Sequence, residues 1–334
     1  MSGRGLDVAR VTDTVTRGGR GRELDAAGIT DPVLRTAYEE ARLLNALHGR
    51  TYYLATMLLP PAKRPYVHAL YAFARYADEL VDDPAGPDGP GLDRFADRFL
   101  ADLADGPTPG THPVVRAAIH TARTWDIPTE HFAAFLTTMR MDLHVTEYAT
   151  YADLESYMHG SAAVIGLQML PILEPADLAD PDVRSSAQAL GRAFQLSNFI
   201  RDVGEDLDRG RIYLPQEDLD KFGVSRADLE HGRRTGAVDD SVRDLLQHEI
   251  ARARDLYCRA EPGIDLVHPS SRHCLRTALT LYAGILEAVE RSGFRVLDRR
   301  VAVPLTTRAR VALPAVLRAR RARRAHPPAP RPPA

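Results

Sequence analysis

Two acidic runs, RYADELVDD at 75–83 and NFIRDVGEDLDR at 198–209, carry the same spacing far apart in the chain: Asp78 with Asp82, and Asp202 with Asp206. On an α-helix, residues four apart lie one turn above another on the same side, where like charges repel. A fold that keeps both pairs therefore needs something to offset the repulsion. The flanking residues read as helix. Leu70, Phe73, Ala77 and Leu80 or Val81 mark an apolar side opposite a stripe of Tyr71, Arg75, Asp78 and Asp82. The second stripe runs Gln195, Asn198, Asp202 and Asp206, flanked by Arg201, Glu205 and Asp208.

Helical periodicity dominates the rest of the chain, without an alternating strand pattern or an Asn-Gly hairpin signal. Helices are expected at 31–47, 66–82, 92–104, 113–124, 129–147, 151–173, 182–206, 239–260, 269–291 and 307–324. DDPAGPDGPG and DGPTPGTHP read as loops between them. The fold class is all-α, with one domain over 22–312 and no internal repeat. A Gly- and Arg-rich stretch at 1–21 is expected to be a disordered arm. The end, 313–334, reads as a basic, Pro-rich tail, disordered from RARRARRAHPPAPRPPA at 318 onward.

Composition narrows the function. A net charge of −2 argues against a nucleic-acid partner, which would call for a basic domain. Two cysteines, Cys258 and Cys274, with no CxxC pair, argue against a disulfide framework or structural zinc and fit a reducing cytoplasm. The start has no apolar signal core, and no run reaches the roughly 18 apolar residues of a membrane span.

Two carboxylates at i and i+4, with an Asn one turn earlier, present hard oxygen ligands from one rigid surface. That donor set suits Mg²⁺, with Mn²⁺ as the alternative, and Mg²⁺ commonly completes its octahedron with water and phosphate oxygens. Cations shared by the two helices would offset the repulsion and hold a diphosphate, whose other oxygens Arg75, Arg201 and Arg211 suit. A single DxxxD is more often a solvated face. Periodicity alone leaves both readings open.

The residues also resemble a family. HGRTYYLATMLLPPAKRPYVHALYAFARYADELVDD (48–83) and GRAFQLSNFIRDVGEDLDRGRIYLP (191–215) are similar to the two signature regions of squalene and phytoene synthases. YMHGSAAVIGLQMLPIL (157–173) fits the stretch between them, and LYAGILEAVERSGFRVLDRRVAVP (281–304) resembles the family's last core helix. The likeness covers about 30–310. It implies an all-helical isoprenoid synthase fold around a central cavity and head-to-head condensation of two allylic diphosphates through a cyclopropyl intermediate. On the matching positions it implies Asp78, Asp82, Asn198, Asp202 and Asp206 as metal ligands, with the four aspartates catalytic. Tyr71, Gln195 and Tyr282 would line the cavity near the reacting carbons, and Arg75 and Arg201 would face diphosphate; Arg211 and Arg300 are further candidates to bind substrate. Thr51 and Tyr52 of the HGRTYY segment are candidates to bind substrate, and Gly49 and Thr51 stand where relatives often carry serines. His159 stands where relatives often have a Tyr two positions after Tyr157, and is the candidate substitute.

The wording of the motifs looks most like phytoene synthases of actinobacteria, which join two geranylgeranyl diphosphates without NADPH. A squalene or dehydrosqualene synthase acting on farnesyl diphosphate is the alternative. A non-catalytic assembly factor is disfavoured by the four intact aspartates, and a terpene cyclase by RIYLP and ALYAFARYADELVDD. The expected partners are polyprenyl diphosphates and, for release of an apolar product, a membrane surface to which the basic tail is drawn. The expected location is cytoplasmic with peripheral membrane contact.

Overall fold

A computed structural model of the chain describes residues 20–81 and 89–327. Among these residues the regular structure is helical: α1 Arg20–Ala26, α2 Pro32–His48, α3 Arg50–Thr56, α4 Arg64–Val81, α5 Gly89–Asp105, α6 Pro113–Thr124, α7 Thr129–Met141 and α8 Tyr151–Met158. There follow α9 Val164–Leu173, α10 Pro181–Asp208, α11 Gln216–Phe222, α12 Arg226–Thr235, α13 Asp240–Ala260, α14 Pro269–Arg291 and α15 Leu305–Ala325. A π-helical stretch, His159–Ala163, joins α8 to α9. Two isolated bridges, Glu147 with Ile212 and Pro175 with Val267, are the extended pairings among the described residues.

Local chemistry sets the starts. Asp31 accepts from the Leu34 amide at 2.8 Å and Pro32 opens α2. Thr150 and Asp153 form a capping box at α8, and Asp180 accepts from the Asp182 amide ahead of α10 at 2.8 Å. Each satisfies an amide that the first turn leaves without a partner.

The longest helix, α10, runs through the middle of the molecule and packs on α9, α13 and α14. Its crossing with the α8–α9 segment is close because both sides are glycine: a Cβ on Gly166 would overlap the carbonyl oxygen of Ala187, and one on Gly191 that of Ala162. The backbones touch there, with no room for a side chain between them.

Three expectations need correction. The helix expected at 129–147 ends at Met141. Residues 142–150 instead lend carbonyls to the RIYLP stretch, with Ile212 N–H donating to Thr146 O at 2.8 Å and Gln216 N–H to Tyr148 O at 2.9 Å. The disorder expected from 318 is replaced by helix as far as Ala325, and the boundary expected at 312 falls inside α15. Ala312, Ala315 and Ala319 are small enough to bring α15 tightly against α14, and all three are buried. Arg323 then anchors the end, donating to Leu58 O at 2.5 Å and Met57 O at 3.3 Å. Finally, α1, α3, α11 and α12 were not expected; three of them have only seven residues, too short for a readable period. Of the arm expected at 1–21, residues 1–19 lie outside the described residues, as do 328–334 of the tail.

Candidate active site

A cavity of about 360 Å³ lies between α3, α4, α9, α10 and α14. Its polar end is set by two helices. From α4 come Tyr71, Arg75 and Asp78, and from α10 come Gln195 and Asn198, all of them lining the cavity. The two stripes read from the sequence therefore converge at this end. Away from it the walls turn apolar through Leu190, Ile165 and Met169, and the far end is closed by Val183, Ile264, Val267 and Cys274. From Asn198 to Val183 the lining follows fifteen residues of α10, about 22 Å at 1.5 Å each.

At the polar end the repulsion posed by the acidic runs is offset by guanidinium groups. Arg75 donates to Asp78 at 2.9 Å and to Glu79 at 3.0 Å. Arg201 donates to Asp202 through Nε at 2.7 Å, and Arg300 meets Asp202 at 3.1 Å and Glu205 at 3.3 Å. Burial opposes the charge of Arg201, yet the hydrogen bond and charge of Asp202 outweigh it and raise its pKa. Asp206 is buried one turn further on. Asp82 falls within 82–88, outside the described residues.

The donor set fits a hard divalent cation. Asn198 Oδ1 is buried with no hydrogen-bond partner, one turn from Asp202, whose side chain is only 16% exposed. A buried carbonyl oxygen left unpaired costs free energy unless a ligand meets it. Among the described residues no three acidic, His or Cys side chains already stand in metal-binding geometry. A bound ion would therefore compete with Arg75, Arg201 and Arg300 for these carboxylates.

An aromatic wall stands beside the polar end. Tyr52 packs on Tyr282 with ring centroids 4.9 Å apart, on Phe194 at 5.8 Å and on Tyr71 at 5.9 Å. Tyr282, expected to line the cavity, stands instead one layer behind it, where it packs tilted on Phe194 at 4.3 Å and is covered by Phe194 and Tyr52. Burial pushes the Tyr52 and Tyr71 phenols up to about 12 and raises that of Tyr282 as well. All three stay neutral at physiological pH and offer rings and O–H groups rather than bases.

Three further sequence candidates sit elsewhere. His159 is exposed and does not line the cavity. Two residues on from Tyr157, it lies about 200° round the helix and turns out, and the π-helical stretch it begins places both Ser161 and Ala162 inward with Tyr157. Thr51 is half-buried and outside the lining, where its neighbour Tyr52 takes the inward place. Arg211 lies beside a second aromatic cluster: it donates to Asp142 O at 3.2 Å, Tyr157 O–H donates to Asp142 Oδ2 at 2.9 Å, and Phe199 stacks on Tyr213 at 4.0 Å. Sequence reasoning missed Asp142, buried at the foot of this cluster. No motif marks it, because its place depends on the 142–150 segment leaving the helix. It also missed Ser161, whose buried Oγ lacks a partner on the cavity wall. One end of the cavity can hold charge, and the remainder can shield an apolar group from water.

Residues 46–307 match the family model described as squalene/phytoene synthase. The 15-cis-phytoene synthase of Synechocystis sp. is 38% identical over 281 residues, 80% of this chain and 81% of that one. The phytoene synthase of Arthrospira platensis is 38% identical over 297 residues, 85% of this chain and 94% of its own. Among solved structures, a dehydrosqualene synthase in complex with a ligand gives a TM-score of 0.74 at 27% identity, covering 88% of this chain and 98% of that one. A squalene synthase from Alicyclobacillus acidocaldarius gives 0.70 at 30% identity, with 80% and 98% covered.

Proposed function

The chain belongs to the squalene/phytoene synthase family, and within it we propose that it condenses two geranylgeranyl diphosphates head to head, through a cyclopropyl diphosphate, to phytoene. The observation that carries the choice of substrate is the length of the apolar lining. A geranylgeranyl chain has sixteen main-chain carbons and extends roughly 20 Å at about 1.3 Å of advance per bond, against roughly 14 Å for the twelve of a farnesyl chain. The lining along α10 runs about 22 Å below Asn198. The phytoene synthases at 38% identity favour the same choice over a squalene-forming reaction.

In this reading Asp78, Asn198, Asp202 and Asp206, with Asp82, hold Mg²⁺. The ion supplies Lewis-acid stabilisation of the departing diphosphate. Arg75 and Arg201 bind the diphosphate oxygens and spread the charge that builds as the carbon–oxygen bond breaks. Arg300, paired with Asp202 and Glu205 from the segment after α14, can swing to the same oxygens. The allylic cation left behind needs walls that neither trap it nor admit water. Tyr52, Tyr71 and Phe194 supply ring faces at the right end, and their negative faces favour a passing positive charge. The second substrate's double bond, held against the cation, attacks it; Gln195 is placed to orient that partner. Loss of a proton closes the cyclopropane, and departure of the second diphosphate, rearrangement and loss of a second proton complete the product, so no hydride donor is required.

The test is the product made from each substrate. Purified protein with geranylgeranyl diphosphate and Mg²⁺ should yield phytoene without NADPH. Conversion of farnesyl diphosphate alone, to squalene with NADPH or to dehydrosqualene without it, would replace this reading with the C15 one.

A further inference from the structure

The C-terminal helix α15 holds seven arginines and no acidic residue. Its inner side is the alanine seam against α14. Its outer side is unlike an ordinary solvated face: Leu305, Leu313 and Leu317 are 80%, 68% and 60% exposed. At about 100° per residue these three leucines fall within one third of the helix circumference. The exposed Arg310, Arg320, Arg321 and Arg324 fall among and beside them on the same side. None of those four pairs with a carboxylate among the described residues. Soluble surfaces rarely align large apolar side chains in this way without a partner.

We propose that this face of α15 is a docking surface for an anionic lipid bilayer. Leucines sunk to the boundary between headgroups and acyl chains, with arginines on lipid phosphates, describe a helix lying in the interface. The leucines also decide between candidate partners. A nucleic acid would use the arginines but gain nothing from three exposed leucines, and a second copy of this chain would bring four more arginines to the same face.

The position of α15 gives the contact a purpose, and this part alone rests on the reading of the cavity above. The helix leans on α14, whose Cys274, Leu275 and Ala278 line the cavity on its other side. Arg323 grips the carbonyls of Met57 and Leu58, directly after the lining residues Ala55 and Thr56. A bilayer bound to α15 is thus one helix away from the cavity wall. An apolar product leaving through that wall reaches lipid without crossing water.

The test floats the full chain with vesicles of phosphatidylcholine, with or without phosphatidylglycerol. Binding should require the anionic lipid and weaken with salt. Replacing Arg310, Arg320, Arg321 and Arg324 with Gln should weaken it roughly a hundredfold or more. Leu305→Gln, Leu313→Gln and Leu317→Gln together should weaken it at least about tenfold at fixed charge. All of these side chains are exposed, so circular dichroism should report an unchanged fold. Equal binding by the leucine variant would mean charge attraction alone and would overturn the proposal. So would a concentration-dependent dimer that the leucine variant abolishes while vesicle binding stays absent. Phytoene formation with no vesicle binding would remove the docking surface and leave the enzyme reading standing; vesicle binding without turnover would do the reverse.

Discussion

Ala187 offers a direct way to separate chain length from everything else in the cavity. It faces the lining eleven residues below Asn198, about 16 Å down α10. A farnesyl chain of roughly 14 Å stops above that level, while a geranylgeranyl chain of roughly 20 Å passes it. In Ala187→Phe the ring would fill the space of about one isoprene unit. Excluding its five carbons at about 0.8 kcal/mol per buried carbon costs about 4 kcal/mol of binding in the transition state. At about 1.4 kcal/mol per tenfold, kcat/KM for geranylgeranyl diphosphate should fall roughly 10³-fold. With farnesyl diphosphate it should change by less than about threefold. Steady-state assays with both substrates, alongside a thermal melt, read this out. An equal fall for both would mean that the ring disturbs the packing of α10 on α9. An unchanged rate with the longer substrate would mean that its chain does not run down α10, and the length argument would fail.

Other perturbations report on single features. Asp202→Asn leaves Arg201 and Arg300 without their shared carboxylate, so kcat/KM should drop on the order of 10³-fold and half-saturation should need more Mg²⁺. Retention of more than about a tenth of the activity at unchanged Mg²⁺ dependence would exclude Asp202 from ion binding. Gly191→Ala places a methyl on the Ala162 carbonyl and should cost on the order of 1–3 kcal/mol in a urea titration. Glu249 is fully buried beside Arg252, which is also paired with Asp218, and burial pushes its carboxyl from 4.5 up to about 7. Between those values the folded chain keeps a proton that the unfolded chain has lost. Stability should therefore fall as pH rises through this window, by about 3 kcal/mol at about 1.4 kcal/mol per pH unit. Glu249→Gln should flatten melting temperature against pH from 5 to 8; a slope as steep as in the parent would assign it to other groups.

Much of the site was legible because its residues sit on long helices with strong periods. The stripes on α4 and α10 could be drawn from spacing alone, and both come to the polar end of the cavity. Arg75, Asp78, Gln195 and Asn198 follow directly from that. The lining on α9 shows where the pattern fails: a uniform helix through 151–173 cannot reveal an inserted residue, and that residue sets Ile165, Gly166 and Met169 inward. Asp142 is invisible for a related reason, since hydrogen bonds to residues some seventy positions later, at Ile212 and Gln216, end the helix before it. Composition predicts disorder at the end of α15, because arginine content speaks against a core. Three alanines at helical spacing are enough for a seam, and a guanidinium closing on two carbonyls needs contacts that no local window contains.

The π-helical turn also limits how the enzyme can change. It takes up one residue beyond an ordinary helix, so removing one of 159–163 would close the bulge and leave the flanking turns nearly in register, with Tyr157, Gly166 and Met169 keeping their wall. Removing a residue from the regular turns of α9 would instead rotate all that follows by about 100° and carry Met169 off that wall. A shortening is thus absorbed at the bulge, whereas the same change a turn later would displace a side of the reaction chamber.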